Sequence, residues 1–168
     1  QTMGSVGPAG FLLADDAGVI LRAVGDADFA GHAARIALQP GHSWAETAMG
    51  TNAIGTALAE QRAVAVIGAD HYLERNRFLT CIAAPIHAPT GGVLGILDIS
   101  TSAQVTPVHA QALLQTTAEI IENRLIETLP DAALTIRFHP RPEALSSPLD
   151  GLAVFDYACR LLACIRRT

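Results

Sequence analysis

The chain has 168 residues, half of them apolar, and a formal net charge of −5. That is enough for one domain with a sizeable core, and it excludes wholesale disorder. All eleven basic residues are arginines, scattered except for Arg75/Arg77 and Arg166/Arg167, so the clustered cations of a nucleic-acid surface are missing from this fragment.

In chain order, the first element is a hairpin. Two apolar runs, 11–14 and 19–24, flank Asp15-Asp16-Ala17-Gly18, and Asp and Gly supply turn chemistry. Residues 27–38 read as a short helix ended by Pro40-Gly41. "GHSWAETAMGTNAIGTAL", residues 41–58, then opens like a helix twice. Ser43 and Glu46 have capping-box spacing, so Ser43 is expected to accept from the amide three residues on. Gly50 breaks that turn, and Thr51 or Asn52 caps a second helix over 53–61. Gly55 lies inside it at a cost of roughly 1 kcal/mol against Ala, which marks close packing of another element.

Residues 63–68 read as a β-branched strand and 69–77 as a polar link. Residues 78–88 and 93–100 form two more strands, joined by a hairpin turn at 89–92. Thr106 and Pro107 suit the cap and first position of a long helix reaching about residue 129. Leu114, Ala118, Ile121 and Leu125 make one apolar stripe on it; Leu113, Thr117 and Ile120 make a second, wide enough to cover a sheet and meet a partner helix. Residues 130–150, which hold four of the chain's prolines, read as a linker. Residues 151–168 begin with two strands about a turn and are too short to bury a core alone.

Strand alternation puts Cys81 and Ala83 on one face, and Ile96 and Asp98 on one face of the next strand, with Cys81 roughly opposite Asp98. A carboxylate in so apolar a run needs a partner, because an unpaired buried one is costly. Asp98 either caps a nearby loop or hydrogen-bonds within a pocket. Trp44 is either core packing or an aromatic beside a pocket mouth. Asp70, His71, Tyr72, Cys81 and Asp98 include metal-capable side chains, but their spacing fits no compact ligand motif, so no metal is expected. The other histidines read as surface or cap residues.

Catalysis finds no support. Ser43 lacks a G-x-S-x-G setting. "GTNAIG" has neither the lysine of a phosphate-binding loop nor dinucleotide-loop spacing. Cys81 lies within an apolar strand, where inert thiols sit. The chain is therefore expected not to be an enzyme, and no cofactor is expected. No apolar run approaches the ~18 residues of a membrane helix, and the N-terminus lacks the regions of a signal peptide. The chain reads as cytoplasmic and as a fragment of something longer. Its three cysteines form no C-x-x-C pair, so no disulfide framework is expected.

The strings "GHSWAETAMGTNAIGTALAEQRAVAVIGADHY" and "FLTCIAAPIHAPTGGVLGILDIS", followed by the long helix, resemble the N-terminal GAF sensor domain of the acetoin-catabolism activator and dihydroxyacetone-operon regulator family. These are sigma-54-dependent transcriptional activators. The likeness covers about residues 10–129. It implies an α+β fold, an α/β sandwich with a central antiparallel sheet, helices on both sides and a long C-terminal helix. The domains would be a GAF sensor over 1–129, a Pro-rich linker over 130–150, and the start of a truncated PAS-like domain over 151–168. Where the family's join into that domain reads Asp-x-x-Gly-Arg, Cys159 stands in place of Gly. The family's ATPase and helix-turn-helix parts are absent from this chain.

The resemblance implies signal reception. Trp44, Met49, Thr51, Asn52, Ile54, His71, Cys81, Ala83 and Asp98 would line a pocket closed by the 43–58 segment. Its effector would be a small hydroxy-carbonyl, an alcohol or a similar carbon-source metabolite, and the long helix would pair two copies into a homodimer. Two other readings stand beside this one: an interaction module for a partner protein, and a metal or redox sensor using Asp70, Tyr72, Cys81 and Asp98.

Overall fold

The first turn is built by Asp15. Its Oδ1 accepts from the amides of Ala17 at 3.0 Å and Val19 at 2.8 Å, while Gly18 takes φ +76°. The turn joins β1 (Ala9–Asp15) to β2 (Ile20–Gly25). Asp26 caps α1 (Ala27–Arg35) by accepting from Phe29 N at 2.8 Å. Its other oxygen accepts from Ala9 N at 2.8 Å, which clips the helix start to β1. These backbone hydrogen bonds hold the Asp26 carboxyl below its ordinary range.

The structure is a computed structural model and describes residues 9–102, 107–145, 147 and 150–165. Two compact units emerge: Gln1–Pro85 with Val93–Gln115, and Ile86–Gly92 with Thr116–Thr168. The first contains α2 (Glu46–Met49), α3 (Ala53–Glu60) and β3 (Val64–Ile67). β4 (Thr80–His87) and β5 (Val93–Thr101) complete an antiparallel sheet of order β2-β1-β5-β4-β3. The polar link between β3 and β4 folds as two single 3-10 turns, Gly68–Asp70 and Glu74–Asn76.

Register decides which side chains share a face. Leu12 pairs with Asp98, Ala14 with Ile96 and Gly10 with Ser100. Val64 pairs with Ala83 and Val66 with Cys81. One face therefore carries Leu12, Ala14, Val64, Val66, Cys81, Ala83, Ile96, Asp98 and Ser100. The apolar members form one core with Phe29, Ala33, Trp44, Ile54 and Ala57 from the helices and loops above it. Each large side chain so buried contributes about 1.5–3 kcal/mol. On the opposite face Ile82 and Ala84 are buried as well, so β4 is covered on both sides. The sequence expectation of an α/β sandwich with helices on both sides of an antiparallel sheet holds.

α4 (Pro107–Glu127) is the longest helix; Thr106, its expected cap, lies outside the described residues. Leu114 and Ala118 are buried as expected, but Ile121 and Leu125 only partly. The buried residues farther along are Glu122, Asn123 and Ile126. Leu113 and Ile120, on the second stripe, are exposed.

In the second unit Glu122 is a buried carboxylate accepting from both His87 N and His87 Nδ1 at 2.8 Å. Leu134–Phe138, within the span read as a linker, forms β6. It pairs with β7 (Gly151–Phe155), which pairs with β8 (Leu161–Ile165). The prolines nearby are compatible with this, because β6 is an edge strand. Leu152, Val154 and Ala163 pack on Ile126. At the β7–β8 turn Asp156 Oδ1 accepts from Ala158 N at 2.8 Å and Arg160 N at 2.9 Å. Cys159 there adopts φ +59°, the conformation that a glycine would take without strain.

Candidate ligand-binding site

The segment 41–58 lies over the core face of the sheet, and backbone geometry explains how. Trp44 N donates to Gly18 O at 2.8 Å and Trp44 Nε1 to Ala37 O at 2.9 Å, so the indole is inserted with its only donor satisfied. The Ser43–Glu46 capping box does not form. The N-cap of α2 is Ala45, with no side-chain cap bond. Ser43 Oγ instead lies 3.4 Å from Ala45 N, and Glu46 Oε1 accepts from Thr56 Oγ1 at 2.5 Å. The physical reason is length: α2 is a single turn, and its carboxylate finds a partner on the next helix.

Asn52 settles the choice between the two candidate caps. Its Oδ1 accepts from Gly55 N at 2.9 Å. Its Nδ2 donates to Trp44 O at 2.9 Å and Gly50 O at 2.8 Å. Both donor protons are thereby used on backbone, and the residue is wholly buried. Asn52 thus caps α3 and ties the two helical turns together. Thr51 is exposed, and its carbonyl accepts from Tyr72 N at 3.0 Å.

The two glycines have specific neighbours. Gly50 has φ +64°, and a Cβ there would stand 2.4 Å from the Tyr72 ring. A Cβ on Gly55 would stand 2.7 Å from Glu46 N and 2.9 Å from Trp44 O, both backbone atoms that cannot swing aside. Close packing at Gly55, expected from its helical position, is present.

Beneath this segment lies a polar cluster. Ser100 Oγ is 2.6 Å from Asp98 Oδ2 and 3.1 Å from Cys81 Sγ, and all three residues are buried. A hydroxyl has one proton. At 2.6 Å it goes to the carboxylate, which leaves the thiol to donate to the serine oxygen. Burial, with the Ser100 hydrogen bond opposing it, raises the Asp98 carboxyl to about 7. Burial first, then the Asp98 charge, pushes the Cys81 thiol well up, so the sulfur stays protonated. Asp98 Oδ1 is buried and has no protein hydrogen-bond partner.

The expected site residues therefore divide. Trp44, Ile54, Cys81 and Ala83 meet in one core, with Met49 packed against it. Asp98 joins them through Ser100, and Asn52 through the Trp44 carbonyl. Thr51 is on the surface. His71 is buried in the β3–β4 link, with Nδ1 3.1 Å from Gly68 O and Nε2 unpaired; burial lowers its pKa, against the Gly68 carbonyl and Asp70. Of the side chains weighed for a metal, Asp70 and Tyr72 are exposed while Cys81 and Asp98 are buried. Among the described residues no three His, Cys, Asp or Glu side chains gather as a metal site.

Sequence reasoning missed several buried polar residues, among them Ser100 and Asn76. Ser100 stands two positions beyond Asp98 on the same strand face, and that spacing was the available signal. Asn76 sits in a polar string that reads as solvent-facing, yet it is buried and its side-chain amide has no hydrogen-bond partner.

Residues 5–123 match the family described as "MimR, N-terminal domain". The chain belongs to that family. Among relatives of the MimR N-terminal family is the acetoin dehydrogenase operon transcriptional activator AcoR of Bacillus subtilis, 40% identical over 114 residues. That alignment covers 68% of this chain and 19% of AcoR. The acetoin catabolism regulatory protein of Cupriavidus necator is 33% identical over 155 residues, covering 90% of this chain and 23% of that protein. The chain thus spans about a fifth of the length of these relatives. The fold is similar to that in the crystal structure of the E. coli DhaR(N)-DhaL complex, with TM-score 0.69 and 20% identity, covering 74% of this chain and 43% of that one.

Proposed function

We propose that this MimR N-terminal family domain is the signal-receiving part of a cytoplasmic, sigma-54-dependent transcriptional activator, and that it binds a small metabolite between the 43–58 segment and the sheet. The observation that carries this reading is Asp98 Oδ1: a buried carboxylate oxygen with no partner, beside an apolar core. Leaving such a group unpaired costs on the order of 1–3 kcal/mol, and a ligand hydroxyl would recover it. The effector class is a small hydroxy-carbonyl, an alcohol or a similar carbon-source compound. The relatives named as acetoin regulators support that class by analogy. The domain acts as a receptor and needs no catalytic group. Binding would displace Trp44 and the α2–α3 junction, and α4, paired with its copy in a homodimer, would carry the change onward to a PAS-like domain begun by residues 151–168. Calorimetric titration with three- and four-carbon diols and hydroxyketones tests the reading; heats indistinguishable from dilution across the whole set would sink it.

A second reading has its own support. The core residues over the sheet are closely packed, and the structure with a similar fold is a complex of DhaR(N) with another protein, DhaL. In that reading the domain receives its signal from a protein. A stoichiometric complex with a DhaL-like protein, together with no metabolite binding, would favour it.

A further inference from the structure

α1 turns Phe29 and Ala33 into the core. On its outer side Ala27, Asp28, Gly31, His32 and Arg35 are all exposed, and these five line an open cleft of about 320 Å³. His32 stands edge-on to Phe78 with ring centroids 6.2 Å apart, so a partly exposed aromatic ring flanks the cleft.

Gly31 has no reason within the chain. It is the one described glycine that has neither a positive φ nor any atom within 4 Å of where a Cβ would stand. At Gly55, by contrast, a Cβ would meet backbone, and Gly50 takes φ +64°. Glycine is the poorest residue after proline for a helix interior. Its use is to let another backbone come close, and nothing in this chain does so at Gly31.

The charges say what comes close. Asp28 and Arg35 are seven residues apart, so they share one side of the helix at about 10 Å along its axis. That is too far for a bond between them, and neither enters an ion pair among the described residues. Their midpoint falls between Gly31 and His32. A second α1 laid antiparallel about a two-fold axis at that midpoint sets Asp28 opposite the partner's Arg35, and Arg35 opposite the partner's Asp28. The two-fold repeats each contact, so both ion pairs form together. Gly31 lies where the helices cross, and the missing side chain there lets their axes approach. A parallel pair would instead oppose like charges, which is unfavourable.

We infer that the outer side of α1 is an interface for a second copy of this chain, formed as an antiparallel helix pair that crosses at Gly31 and is registered by Asp28 and Arg35. The interface is separate from α4 and does not rest on what the core binds. A pair of nine-residue helices covers less than the ~800 Å² per partner of a stable interface, and exposed ion pairs are screened by salt. The association is therefore weak and salt-sensitive. Phe29 and Ala33 belong to the same helix, so one element carries both the pairing and part of the receptor core.

The experiment is analytical ultracentrifugation of the whole chain from about 10 μM to about 1 mM, the range in which weak association shows. The parent chain should show a concentration-dependent association step that high salt weakens. Asp28→Arg and Arg35→Asp, each run alone, should weaken that step about tenfold or more, because each variant opposes like charges. An equimolar mixture of the two should restore it, since every arginine then meets an aspartate. Loss of helix stability cannot produce that rescue. Gly31→Leu, a test independent of charge, should abolish the step while the thermal melt holds or rises, because leucine favours helix and its Cβ meets nothing in the chain. Any pairing through α4 is common to all samples and cancels in the comparison. Absence of the step in the parent chain overturns the inference. So does a mixture no more associated than its separate components, or a folded Gly31→Leu protein that associates as the parent does.

Discussion

Asn52 holds three backbone groups with one side chain, and each bond has a consequence that can be measured. Asn52→Ala should cost about 2–3 kcal/mol of unfolding free energy, a lost cap plus a buried and a partly buried carbonyl that lose their donor; denaturant melts check this. Gly55→Ala should also destabilise, by about 1–3 kcal/mol. The gain of roughly 1 kcal/mol in helix propensity is outweighed because the new methyl would meet backbone at 2.7 Å and 2.9 Å. A stabilised Gly55→Ala protein would contradict that packing. Asp98 gives a pH test with a definite sign. Its carboxyl rises from the ordinary carboxylate range to about 7 on folding, so the folded state binds a proton that the unfolded state has released. Stability contributed by this group is complete below pH ~4 and lost as pH rises toward 7. Asp98→Asn should therefore flatten the fall in unfolding free energy over that window; parallel pH profiles for the two proteins would contradict it.

At the scale of elements, what was readable depended on how local the cause was. Alternation alone placed Cys81 and Ala83 on one face and Ile96 and Asp98 on one face, because the strand period does not depend on the rest of the fold. The α2–α3 segment was harder. Ser43 and Glu46 carry the capping pattern, yet the helix starts only at Glu46, with Ala45 as its N-cap, and the carboxylate is drawn to Thr56 by tertiary placement. Whether Thr51 or Asn52 capped α3 turned on which side chain faced the Trp44 and Gly50 carbonyls, a through-space fact. β6 was obscured by the prolines around it, although Leu134, Ile136 and Phe138 alternate as a strand should. The Cys159 turn shows the reverse case: a residue other than glycine takes the left-handed conformation there. Asp156 holds it through Ala158 N and Arg160 N, with Cys159 carrying the left-handed strain. Cys159→Gly should relieve that strain and stabilise the protein by about 0.5–1 kcal/mol, part of the 1–2 kcal/mol cost being returned to the freer unfolded chain. A thermal melt lower than that of the parent chain would contradict this account.

At the scale of the whole molecule, membership of the MimR N-terminal family and the α/β sandwich agree with what the motifs suggested, because the motifs are the structural parts: the Trp44–Asn52 junction, the β4 strand and the Asp98–Ser100 strand end. The metal reading finds no gathering of ligands among the described residues. What distinguishes a metabolite receptor from a partner-protein receptor is whether this core opens. Trp44 is the chain's single tryptophan, it is 1% exposed, and its carbonyl is held by Asn52. Its emission therefore reports on the site with no background from another indole. The most direct measurement is a titration of Trp44 fluorescence with neutral short diols and hydroxyketones. A saturable change that disappears in folded Asp98→Asn or Ser100→Ala protein is the predicted result. Emission that stays constant across the series, while a DhaL-like protein binds, would contradict the account.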